Sequence, residues 1–139
     1  YGDGGNVRDW LFVEDHVRAL VAAVERGVPG RTYCVGGRSE MRNLDVVHAI
    51  CDLLDARVPA TAPRRSLIRF VPDRPGHDRR YAIDPARIEQ ELGWASRESF
   101  ASGIARTIDW YLANDWWWRP LREQRYAGER LGLLAGKHP

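Results

Sequence analysis

The chain's 139 residues suffice for one domain with a modest core and not for two. A formal charge of +2 excludes charge-driven binding to nucleic acid, which needs a concentrated basic face. With 44% hydrophobic and 29% charged residues mixed along its length, and no apolar run near the ~18–20 residues of a membrane span, it reads as a soluble, cytoplasmic globule.

The opening YGDGGN is rich in turn residues, and NVRDWLFV after it can be extended. From Val13 to Gly27, apolar Val13, Val17, Leu20, Val21 and Val24 recur at helical spacing. Glu14 and Asp15 suit the positive end of that helix, and Gly27 with Pro29 stops it. RTYCVGG reads as a buried strand. Asn43 is the expected N-cap of a second helix, whose apolar face is Leu44, Val47, Ile50, Cys51 and Leu54. VPATAPRRS is a connector, and SLIRFV and RRYAI are two further expected strands. Asp84-Pro85 starts a short helix, ARIEQEL, that Gly93 ends. A longer helix follows through Phe100, Ile104, Ile108, Tyr111 and Leu112 toward Trp116, Trp117 and Trp118. The result is an α/β (α+β-like) fold with about three short strands and four helices over residues 1–118, then a partly irregular tail over 119–139.

Much chemistry has no foothold in this sequence. Cys34 and Cys51 read as buried free thiols, and the four histidines show no metal-ligand spacing. No glycine-rich turn joins a strand to a helix with an acidic residue ~20 positions on, so no dinucleotide site is expected. There is no P-loop and no G-x-S-x-G elbow. None of Tyr33, Tyr81, Tyr111 and Tyr126 has a lysine four residues later, the pairing that short-chain dehydrogenases use. All basic residues but Lys137 are arginine, which suits forked contacts to anions and is equally the mark of a GC-rich genome. RPGHDRRYAID, residues 74–84, gathers three arginines, a histidine and two aspartates, either as a solvated loop or as a site for an anion.

Four runs taken together, YGDGGNVRDWLFVEDHVRAL, GRTYCVGGRSEMRNLDVVHAICDLLD, FVPDRPGHDRRYAIDPARIEQELGW and FASGIARTIDWYLANDWWW, resemble the dTDP-glucose 4,6-dehydratases of the extended short-chain dehydrogenase/reductase superfamily. The resemblance covers residues 1 to about 118. It implies an enzyme of two parts, a Rossmann domain that holds NAD and the catalytic groups, and a smaller domain that grips the nucleotide sugar. This chain looks like the second part alone, a piece of a longer protein. The whole enzyme would convert dTDP-glucose to dTDP-4-keto-6-deoxyglucose, and the piece alone would bind a dTDP-sugar, hold no NAD and turn nothing over. A stand-alone binding module and an inert remnant are the alternatives.

By the same resemblance Tyr1 lies beside the thymine, Arg8 and Arg74 contact the diphosphate, and Asn43 and His77 meet the nucleotide. Each has a plain structural reading beside this one: a loose first residue, an exposed strand arginine, a helix cap, a solvated basic loop. Arg79 and Arg80 are expected to be structural, one pairing with Asp73 or Asp78, and Asp9, Glu14 and Asp15 to serve the fold. Trp94 is expected in the core, and other tryptophans on the surface facing the absent Rossmann domain. Tyr126 is a late aromatic candidate. The face left bare would favour a self-association unlike the family's own dimer.

Overall fold

The computed structural model describes residues 1–124. Their order is β1 (Val7–Asp9), α1 (Val13–Arg26), β2 (Glu40–Arg42), α2 (Asn43–Arg57), a 3-10 turn (Arg64–Leu67), α3 (Ala86–Leu92), α4 (Phe100–Ala113) and α5 (Asp115–Gln124). The fold is mixed α/β, as expected, with five α-helices and one two-stranded antiparallel sheet among the described residues. Its register pairs Val7 with Arg42, Arg8 with Met41 and Asp9 with Glu40. The chain divides into two units, Tyr1–Ile108 and a second that begins at Asp109.

The core of the first unit forms where α1 crosses α3. Ala19, Ala22, Ile88, Leu92 and Trp94 are buried together, with Leu11, Ala23, Tyr33 and Val35 packed around them. Small Ala19 and Ala22 let the helices approach closely. The stripe expected to be apolar packing on α1 is elsewhere. Val13, Val17, Leu20, Val21 and Val24 are exposed, Val24 to 88%, about 180° around the helix from Ala19 and Ala22. The helical period was legible, but α1 is apolar on two faces and this chain covers only the small-residue one.

Asp15 locks this arrangement. It is 2% exposed, and its carboxylate accepts the Arg97 and Glu98 amides at 3.0 and 2.9 Å, together with a bond from Arg18. Burial raises its pKa, but the Glu98 amide, Arg18 and the Arg97 amide outweigh that and hold it below the usual carboxylate range. Around α3, Asp84 accepts the Ala86 amide at 3.0 Å, and Gly93 closes the helix in the left-handed region at φ 62°. α4 starts where Ser99 Oγ accepts the Ser102 amide at 3.1 Å.

Three expected strands came out differently. RTYCVGG forms no ladder; the amides of Gly37 and Ser39, at and just past its end, donate to the Asp9 carboxylate at 3.0 and 2.8 Å instead of to a neighbouring strand. SLIRFV begins inside the 3-10 turn, which Asp55 fixes by accepting from the Arg64 amide and guanidinium. RRYAI forms no ladder with β1, pairing with it as a single parallel bridge, Val7 with Arg80. The strand that does pair, β2, was not expected. Cys34 is exposed and Cys51 half-buried, so neither is the buried thiol that strand and helix patterns suggested. Arg80 pairs with Glu40 and Arg79 with Asp3, not with Asp73 or Asp78.

In the second unit α5 runs through residue 118, so the first residues of the expected tail are helical. Trp110 packs edge-on against Tyr111 and Trp117, and Trp118 donates to the Tyr111 carbonyl at 2.9 Å. Tyr126 and the rest of the tail lie outside the described residues. Among the described residues no helix is long and apolar enough to cross a membrane.

Candidate anion-binding site

Main-chain hydrogen bonds draw three distant stretches together. Gly2 donates to Val71, Val7 to Arg79 and Tyr81 back to Val7, at 2.9, 2.8 and 3.0 Å, so the first strand lies against residues 71–81. The start of α2 is fixed by the same loop, because the amides of Asn43 and Leu44 donate to the carbonyls of Asn6 and Gly4 at 2.9 and 3.0 Å. Position 4 favours glycine. Its φ is 72°, and a Cβ there would lie 3.0 Å from that of Leu44.

Asp78 is the junction. Its carbonyl accepts from Asn6 Nδ2, itself 4% exposed, and from Arg8 Nη2, both at 3.0 Å. Arg8 Nη1 donates to the Val7 carbonyl at 2.7 Å, and the guanidinium carbon lies 4.4 Å from the centre of the Tyr81 ring. The Tyr81 hydroxyl donates to the Asp78 carboxylate. That bond, with the negative charge of Asp78, pushes the phenol up from its ordinary value, while the charges of Arg8 and Arg74 pull it down.

The loop from Asp73 to His77 turns on Pro75 and on Gly76, at φ 67°. Asp73 Oδ1 accepts from His77 Nδ1 at 2.7 Å and from the Arg74 amide at 2.9 Å. The histidine bond is the main cause that holds Asp73 below the usual carboxylate range. The His77 side chain is 7% exposed, and the Tyr1 ring stands edge-on to its imidazole at 6.0 Å. Tyr1 and His77 thus share one set of contacts with Asp73 and the Arg74 main chain, and Arg8 another with Asp78 and Tyr81, on segments joined by the main-chain bonds above. Asn43 joins them through its main chain alone. It is the first residue of α2 rather than its cap, the capping position falling to Arg42, and its own amide and that of Leu44 are held by the loop carbonyls. Asn6, Asp78 and Tyr81 were missed. The one local signal for them is the three-residue spacing of Asp78 and Tyr81.

The arrangement suits an anion. Several arginines elsewhere in the first unit are engaged by carboxylates: Arg38 by Glu89, Arg65 by Asp52, Arg80 by Glu40, Arg106 by Glu14 and Glu98. Arg8 and Arg74 have no carboxylate partner among the described residues, so their charge remains available for phosphate oxygens. No group of His, Cys, Asp and Glu among the described residues could hold a metal ion. α1 and α2 open with Val13-Glu14-Asp15 and Asn43-Leu44-Asp45, first turns with a carboxylate and no glycine, which do not suit a dinucleotide pyrophosphate.

Known proteins place the chain. The family model described as GDP-mannose 4,6 dehydratase matches residues 1–107. A probable dTDP-glucose 4,6-dehydratase of Sinorhizobium fredii is 58% identical, over 96% of this chain and 38% of the relative. A dTDP-glucose 4,6-dehydratase of Escherichia coli is 53% identical over the same shares. Among solved structures, DesIV of Streptomyces venezuelae, a dTDP-glucose 4,6-dehydratase with NAD and TYD bound, superposes with a TM-score of 0.78 at 41% identity, over 87% of this chain and 35% of that one. The dTDP-glucose 4,6-dehydratase of Bacillus anthracis, in complex with NAD, gives 0.74 at 40% identity, over 87% and 36%. The chain spans less than two-fifths of the length of these relatives. It belongs to the GDP-mannose 4,6 dehydratase family, and within it is similar to the dTDP-glucose 4,6-dehydratases.

Proposed function

We propose that this chain is the dTDP-sugar-binding part of a dTDP-glucose 4,6-dehydratase, the enzyme that makes dTDP-4-keto-6-deoxyglucose. Arg8 and Arg74 take the diphosphate as guanidinium forks on phosphate oxygens, and His77 adds a contact through Nε2. Tyr1 lies against the thymine, and Asn43 offers its side chain to the nucleotide portion from the first turn of α2. These contacts are remote from the reacting carbons, and their binding energy serves to position the sugar. NAD is held by the remainder of the longer enzyme, since the described residues here do not suit a dinucleotide. The chain alone therefore binds dTDP-sugars without turnover.

The observation that carries this reading is that Arg8 and Arg74, neither with a carboxylate partner for its guanidinium among the described residues, lie on segments that main-chain hydrogen bonds hold together. The exposed stripe of α1 supports the second half of it. Val13, Val17, Leu20, Val21 and Val24 form a continuous apolar face that the NAD-binding portion covers in the whole enzyme and that drives self-association when that portion is missing. Thermal unfolding with and without dTDP tests the reading. dTDP raises the melting temperature of the chain, and Arg74→Ala abolishes the rise without lowering the midpoint in buffer. No rise for the unaltered chain would refute it.

A further inference from the structure

The Arg8 guanidinium is held entirely by neutral groups. Two of its five N–H groups donate to main-chain carbonyls, of Val7 and Asp78, and one face lies over the Tyr81 ring. Three N–H groups and the full positive charge remain. A carboxylate nonetheless sits on the same residue whose carbonyl Arg8 already touches, that of Asp78. It is turned instead to the Tyr81 hydroxyl. Were it released, it would compete for the guanidinium, since a carboxylate matches that fork as well as a phosphate does.

We propose that Tyr81 is a positioning residue of the anion site: its ring holds the Arg8 guanidinium flat, and its hydroxyl ties up the Asp78 carboxylate so that Arg8 stays open to a diphosphate. This inference rests on the nucleotide-sugar reading above and adds a residue to it. Tyr81 acts through Arg8 and Asp78, and its 49% exposure places it outside the core. Its removal therefore alters the site more than the fold.

Calorimetric titration of the 139-residue chain with dTDP separates the two claims. Tyr81→Phe keeps the ring and frees Asp78; its Kd for dTDP rises about tenfold, a charge-assisted contact's worth. Adding Asp78→Asn to Tyr81→Phe restores the Kd to within about threefold of the unaltered chain, and in an Asp78→Asn background Tyr81→Phe changes nothing further. A purely structural role for Tyr81 would not show that rescue. Binding that is lost in Arg8→Ala yet unchanged in Tyr81→Phe overturns the inference alone, as does a double variant that stays as weak as Tyr81→Phe. Absence of dTDP binding by the unaltered chain overturns the nucleotide-sugar reading and the inference with it.

Discussion

Trp94 donates its indole N–H to the main-chain oxygen of Asp15 at 3.0 Å, across 79 residues of sequence. The Asp15 carboxylate, from the same residue, accepts the amides of Arg97 and Glu98. One residue of α1 thus fixes the turn that leads from α3 into α4. A buried carboxylate with two amide donors and Arg18 is costly to remove, because the donors would be left unsatisfied.

Asp15→Ala is therefore expected to lower unfolding stability by about 3 kcal/mol. Urea unfolding measures it. Asp15→Asn, which keeps one acceptor oxygen, loses less. The pH dependence follows from the lowered pKa: the stabilisation is present above the unfolded value, near 3.8, and fades as pH falls through the folded one. Acid unfolding of the natural chain should carry this limb, and Asp15→Asn should lack it.

Gly4→Ala probes the joint between the first loop and α2. The positive φ and the 3.0 Å approach to Leu44 predict a loss of about 1–2 kcal/mol. The amides of Asn43 and Leu44 would lose their alignment, so the Kd for dTDP should rise as well. Unfolding and titration of the same sample check both. A variant as stable as the natural chain would show that the loop can move away from α2.

Val21→Glu alters an exposed position on the outer face of α1. Its stability should stay within about 0.5 kcal/mol of the natural value. In sedimentation the natural chain is expected to associate as concentration rises, and Val21→Glu to remain monomeric. An associating variant would place the contact on another surface.

The charges of Arg8 and Arg74 are solvent-accessible, so their effect on a ligand is screened by salt. Raising NaCl from about 50 to about 500 mM, which shortens the screening length several-fold, should weaken dTDP binding by about tenfold. An affinity that ignores salt would point to contacts with the base and sugar only.

The sequence revealed periods better than partners. α1 was legible from its valines, yet the spacing could not say which side this chain covers; Ala19 and Ala22 won the core because they fit close against α3. RTYCVGG has strand composition, but Asp9 takes the neighbouring amides of Gly37 and Ser39 that a partner strand would have taken. Strand β2 is three residues of Glu, Met and Arg, with nothing in its composition to announce it. Arg8, Arg74, His77 and Tyr1 came from motif resemblance; the fold gives Tyr1 and His77 one set of contacts around Asp73 and Arg8 another around Asp78 and Tyr81. Asn6, Asp78 and Tyr81 were hidden because they act through main-chain contacts between segments some 70 residues apart, a register that only the folded chain establishes.

Comparative titration with dTDP and thymidine asks directly whether the two arginines receive a diphosphate. The natural chain should bind dTDP at least about tenfold more tightly than thymidine, with the preference gone in Arg8→Ala/Arg74→Ala. Equal affinity for the two ligands, or a preference that survives the double substitution, would contradict the account.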